Sequence, residues 1–199
     1  MHNPFHKPIL FVDFDRTLCH DRFWRSANPH LYSQIQNVLF GDHRIRVHAW
    51  MEGVYTSEDI VEFLAQECSV PFRDLWDILV HDCETMHVSL RTLADINALR
   101  DHFWVVLFTD NMDCFSRFTV PALHLNDYFD EIMNSYDAKT LKKNLLPQMM
   151  ASVPDQTCCL IDDGEAICML CEELGGVAYR ITSEKTLDHH LAVIAAEKN

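Results

Sequence analysis

Glycine is scarce in this chain. Five are present, Gly41, Gly53, Gly164, Gly175 and Gly176. None stands in the spacing of a phosphate-cradling loop, which disfavours nucleoside triphosphates as substrates. Long apolar runs are also missing, since no stretch approaches the ~20 residues of a membrane-spanning helix. The first apolar run, Ile9–Val12, is too short for a secretory leader and lacks a small-residue cleavage site. The chain is therefore expected to be soluble and cytoplasmic, with no membrane partner. Basic residues are few, 16 against 30 acidic ones, for a net charge of −14. A polyanion would be repelled, so nucleic acid is not an expected partner.

What is present suits one globular domain: 199 residues, 48% apolar, without repeats. The eight cysteines are expected to be reduced thiols in a chain with no leader. Cys158 and Cys159 should face opposite sides of a strand. Cys168 and Cys171 form a C-x-x-C, but with no second pair and a helical apolar pattern around them they read as core packing. The twelve histidines show no ligand spacing, and none is assigned to a metal.

Five apolar runs read as strands, at 9–14, 103–109, 131–134, 157–162 and 177–181. Helical periodicity separates the later ones. "EAICMLCEELGG" places Ile167, Leu170, Cys171 and Leu174 on one face and stops at Gly175-Gly176. "DAKTLKKNLLPQMM" reads as one helix, and the tail after Ser183 as another. Buried strands alternating with helices imply an α/β fold, a Rossmann-like parallel sheet with helices on both faces. Residues 18–89 break this rhythm and are too long for a bare loop. They read as a small helical cap inserted into a core of residues 1–17 and 90–199. Leu31, Ile35, Val38 and Leu39 share one face there. Thr56 and Asp59 form a capping-box pattern, and Pro71 opens a helix carrying Leu75, Trp76 and Leu79.

Three strands end in polar groups. "ILFVDFDRTLC" runs into Asp13, Asp15 and Thr17, "VVLFTDN" ends in Thr109, Asp110 and Asn111, and "CLIDDGE" ends in Asp162 and Asp163. In a parallel sheet the carboxyl ends lie on one edge, where ligands bind. Carboxylates with a hydroxyl suit a hard, oxygen-liganded cation such as Mg2+ rather than zinc.

On these residues the chain resembles the haloacid dehalogenase-like (HAD) superfamily over nearly its whole length. "VDFDRTL" is similar to the family's Asp-x-Asp-x-Thr, Thr109 to its second-strand hydroxyl, Lys142 in "DAKTLKKN" to its helix-start lysine, and "IDDG" to its final acidic element. Lys139 and Lys143 compete with Lys142 for that match. Arg16 stands where many members have glycine, Asp110 intervenes before Asn111, and Ile167 occupies a position that often carries a further aspartate.

The resemblance implies a Mg2+-dependent phosphatase acting on a small phosphorylated metabolite. Asp13 would be the nucleophile that becomes an aspartyl-phosphate, and Asp15 the acid and base, with its carbonyl on the metal. Thr109, Asp110, Asn111 and Lys142 would hold the phosphate, and Asp163 with Asp162 would complete the metal site. A phosphomutase of the same superfamily is the alternative, or a non-hydrolytic phospho-receiver, although a receiver's acidic pair comes first in its chain. Residues 16–50 hold five arginines against two acids. Arg22, Arg25, Arg44 and Arg46 are therefore expected to steer the anionic substrate inward, with Trp24 and Trp50 offering it an apolar surface.

Overall fold

The computed structural model describes residues 7–154 and 156–197. Five strands among them, β1 (Ile9–Val12), β2 (Trp104–Thr109), β3 (Glu131–Asn134), β4 (Cys158–Asp162) and β5 (Val177–Arg180), form one sheet in the order β3-β2-β1-β4-β5. Every pairing is parallel. β1 is central and wholly buried because both its faces are covered. Leu10 and Val12 pack with Leu93, Ile96, Leu191 and Ile194 on one side, and Ile9 and Phe11 pack with Leu146, Met149 and Cys171 on the other. The helices supplying those partners are α5 (Leu90–Leu99) and α10 (Leu187–Ala196) on one face. On the other face lie α8 (Lys142–Ala151) and α9 (Glu165–Glu173). Cys159 and Cys158 fall on opposite faces, and Cys168 and Cys171 are buried core residues. Gly176 is needed where α9 turns back to β5, since a Cβ there would lie 2.6 Å from Cys171 Sγ. Among the described residues no helix is long and apolar enough to cross a membrane.

Between β1 and α5 the chain builds α1 (Pro29–Gln36), a wide turn at Asn37–Asp42, α2 (Arg44–Met51), α3 (Ser57–Cys68) and α4 (Phe72–Glu84). The capping box forms as the spacing requires: Asp59 N donates to Thr56 Oγ1 at 3.2 Å, and Thr56 N to Asp59 Oδ2 at 2.7 Å. These helices have their own apolar core of Ile35, Leu39, Val47, Ile60, Leu64 and Leu79, which also takes in Met112 and Cys114 from beyond β2. Trp24 and Trp50, expected at a binding surface, are 1% and 0% exposed within that core. Their indoles fill its volume, and their N–H groups donate to Leu75 O at 2.9 Å and Asp113 Oδ1 at 2.8 Å.

After β2 the chain passes through a wide turn at Phe115–Thr119 into the short α6 (Val120–Ala122). The single helix expected over 137–150 is broken. A short α7 (Ser135–Ala138) ends where Lys139 turns left-handed at φ 57°, and α8 restarts after an extended Leu141. The break aims the start of α8 at Asp110, which accepts the Lys142 backbone N–H at 2.7 Å.

Asp113 joins the two parts of the molecule. Its buried carboxylate accepts from Trp50 Nε1, from Ser57 Oγ at 2.6 Å and from Arg117 Nη1 at 2.8 Å. Asp113→Ala strands the Trp50 and Ser57 donors in the interior. It should cost about 3 kcal/mol of unfolding free energy in urea melts, whereas Glu58→Ala, at the exposed end of the same network, should cost under about 1 kcal/mol.

Candidate active site

Because β2, β1 and β4 are adjacent and parallel, their carboxyl ends share one edge. Asp13 follows β1, Thr109 closes β2 and Asp162 closes β4. α8 delivers Lys142 to the same place. The Lys142 ammonium, 8% exposed, donates to Asp13 Oδ1 at 2.7 Å and to Asp162 Oδ2 at 2.6 Å. Of the three candidate lysines it is the one that reaches the carboxylates. Lys139 Nζ lies over the Tyr136 ring, and Lys143 stands on the rim of the crevice.

Asp162 has both oxygens engaged, since Oδ1 accepts from Gly164 N at 2.8 Å. Asp163 is looser, approached by Arg16 Nη1 at 3.9 Å. One oxygen each from Asp13, Asp162 and Asp163 lies within 4.8 Å of the others. Asp15 sits beside them, its Oδ2 accepting from Asn111 Nδ2 at 3.2 Å and its Oδ1 3.5 Å from Arg22 Nη1.

The electrostatics follow from one cation among several buried anions. Desolvation pushes Asp13 up to about 8, with Lys142 pulling it down and Asp162 and Asp15 adding to the rise. Desolvation also lifts Asp15 to about 6 against the pull of Arg22 and Lys142. Asp110 is raised by burial too. Burial alone would lower Lys142, but Asp13 and Asp162 more than reverse this and hold it above the usual lysine range.

These groups line a crevice of about 500 Å³, with Asp110, Arg16, Met51 and Ile167 among its walls. Thr109 and Asn111 lie just behind it, 1% and 0% exposed, and the Thr109 hydroxyl has no hydrogen-bond partner. Of the four arginines expected to steer substrate, Arg22 alone stands beside Asp15. Arg25 is tied to Asp82 O at 2.7 Å and Thr85 O at 2.8 Å. Arg46 stacks over Phe63 at 4.2 Å, and Arg44 and Arg46 line a separate hollow with His43 and Tyr55. The basic stretch is dispersed because its residues fall on different helix faces and linkers. Two wall residues, Arg16 and Met51, were not among the expected site residues. Arg16 had a signal, since it stands where many members of the resembled family have glycine, and its φ is left-handed at 61°. Met51 had none, because nothing local says that the end of α2 lines this crevice.

No protein-family model and no curated protein sequence matches the chain. Solved structures do. A HAD family enzyme from Bacteroides thetaiotaomicron, bt-2542, superposes with a TM-score of 0.74 at 17% identity, covering 92% of this chain and 98% of that one. The same enzyme has been solved in complex with magnesium and inorganic phosphate. A predicted HAD-like family hydrolase from Porphyromonas gingivalis gives a TM-score of 0.71 at 16% identity over 98% of both chains. A 2-haloacid dehalogenase from Pseudomonas syringae pv. Tomato gives 0.62 at 11% identity, over 97% of this chain and 100% of that one. At these identities the likeness is one of fold.

The carboxylates' dependence on Lys142 can be read from stability. Asp13 binds its proton more tightly folded than unfolded, so ionising it costs stability as pH rises from about 4 through about 8. Lys142→Met removes the pull that limits this rise. Unfolding free energy of the metal-free variant should then go on falling between pH 8 and 10, where the wild-type contribution of Asp13 levels off, by up to about 1.4 kcal/mol per pH unit for each proton the folded state still holds. Urea melts across that range measure it, and parallel slopes would contradict the assignment.

Proposed function

Because the chain carries the fold shared by HAD-family enzymes, we propose that it is a Mg2+-dependent phosphohydrolase of small phosphorylated metabolites, with Asp13 as nucleophile. The observation that best supports this reading is the pairing of two unlike carboxylates. Asp13 is held by Lys142 at the strand end, and Asp15, pushed to about 6, stands where it can trade a proton near neutral pH.

The donor set fits a hard divalent cation: oxygens of Asp13, Asp162 and Asp163 within 4.8 Å of one another, and no nitrogen or sulfur ligand in the cluster. Mg2+ held there would offset the repulsion between the Asp13 carboxylate and a phosphate dianion. Asp13 attacks phosphorus, and the P–O bond to the alcohol breaks as an aspartyl-phosphate forms. Asp15 gives its proton to the departing oxygen. It then takes one from water, whose oxygen attacks phosphorus and breaks the bond to Asp13, releasing inorganic phosphate. The Lys142 ammonium and the unpartnered Thr109 hydroxyl hold the equatorial oxygens. Residues 18–89 act as the cap and residues 1–17 and 90–199 as the core, with Met51 reaching from the one into the crevice of the other.

Dehalogenation is the competing chemistry, since one similar structure is a haloacid dehalogenase. A halide departs without a proton and needs no acid, so Asp15 would be idle. A phosphomutase would return the phosphoryl group to a second hydroxyl rather than to water, and a receiver would stop at the phosphorylated aspartate.

Asp13→Asn keeps the shape and removes the anionic nucleophile. Continuous phosphate release with Mg2+ should fall by ~10⁴-fold or more while the circular dichroism spectrum is retained. Wild-type turnover in that variant would sink the covalent mechanism.

Asp162 and Asp163 should separate in a Mg2+ titration of activity. Asp163 has the less committed carboxylate and is the proposed ligand, so Asp163→Ala should raise the Mg2+ requirement by ~10–100-fold. Asp162→Ala frees Lys142 and should act chiefly on kcat. The opposite pattern would exchange their roles.

A further inference from the structure

A second cavity, of about 180 Å³, adjoins the crevice between the strand end and the helical block. The two share three wall residues, Asp15, Arg16 and Met51. Asp15 therefore stands at their junction, with Asp13, Lys142, Asp162 and Asp163 on one side. On the other side the wall is made of Phe23, Phe40, Met51, Met86 and Met112.

Each polar group of this second cavity already has a charged or hydrogen-bonding neighbour, although some N–H groups of Arg16 and Arg22 are left over. Arg22 Nη1 donates to Asp21 O at 3.1 Å and faces Asp15 at 3.5 Å. Asp21 Oδ2 accepts from His87 N at 2.8 Å and faces Arg25 at 3.7 Å. Arg16 leans toward Asp163. The five apolar side chains offer a hydroxyl-rich ligand no partner, and hydroxyls buried against them are left unpaired. Its volume matches the ~150 Å³ at which an apolar cavity accepts a benzene-sized group. Three thioether side chains give a wall that adapts to shape rather than fixing one outline.

Resting on the phosphohydrolase reading above, we infer that the leaving group lies in this cavity, and that the preferred substrates are phosphate monoesters of compact, largely apolar alcohols rather than of sugars or polyols. A monoester spanning the junction places phosphorus over Asp13, its bridging oxygen beside Asp15 and its carbon skeleton against Phe40 and the methionines. Phe40, 44% exposed at the mouth, is the specificity-determining residue with the least structural duty.

The test compares benzyl phosphate with glycerol 1-phosphate and a hexose 6-phosphate. All three are esters of primary alcohols, so intrinsic leaving-group reactivity is nearly matched. With Mg2+, kcat/KM should favour benzyl phosphate by ~10-fold or more. Phe40→Ser and, independently, Met51→Ala should shrink that ratio toward parity. Acetyl phosphate serves as the control, because its leaving carboxylate needs no acid and is too small to fill the cavity. Turnover of acetyl phosphate with equal or reversed preference among the three esters would overturn the inference alone. Absence of turnover with every donor would overturn the phosphohydrolase reading and the inference with it.

Discussion

The ammonium of Lys142 is what allows this sheet edge to exist. Three strands end in acids at adjacent positions, and without a cation between them Asp13 and Asp162 would face each other almost bare of solvent. Lys142 sits within 2.7 Å of both. It gets there because Asp110 fixes the first backbone N–H of α8, which in turn requires the left-handed Lys139 and the extended Leu141 before it. Lys142, with Arg22 and Arg16 at the edge, does not offset the burial of these carboxylates, and desolvation leaves Asp13 and Asp15 raised. A site in that condition attracts further positive charge. In a chain of net charge −14, the proposed function would have a divalent ion and an anionic ester enter here together, each lowering the electrostatic cost of the other.

The helices α1 to α4 are fastened to the rest of the chain by polar contacts at several points. Besides the Asp113 hub, Ser135 Oγ donates to Met51 O at 2.9 Å, and Thr119 Oγ1 to Cys83 O at 3.0 Å. The two chain crossings are also tied to each other, through Arg25 to Asp82 O and through His87 N to Asp21. These contacts hold the Met51 side chain at the crevice wall, so the geometry at Asp15 depends on residues distant in sequence.

Much of this was legible in the residue order, for reasons that differ by element. β1, β2 and β4 were found because a strand buried on both faces reads as an unbroken apolar run, whereas the edge strands β3 and β5 are more exposed and left a weaker signal. The site carboxylates were found because strand polarity alone collects their ends. Lys142 remained one of three until α8 was placed, since the choice depends on a backbone break that helical periodicity does not encode. Arg25, Arg44 and Arg46 were misjudged because density along the chain says nothing about helix face. Arg44 and Arg46 follow each other by two positions on α2, and both line a hollow away from the crevice. Trp24 and Trp50 were misread for a similar reason: large aromatics serve a core as readily as a surface.

Met112 and Cys114 belong to the apolar core of the helices that precede them by dozens of residues, and this sets an order of assembly. A ribosome that has released only the first ninety residues has released α1 to α4 without the segment that completes their interior. The central strand β1 is in a similar position, waiting for β2 on one side and for β4, almost 150 residues later, on the other. Contacts of such long sequence separation form late and slowly. The chain therefore carries an unfinished helical bundle and an unpaired hydrophobic strand until β4 has emerged.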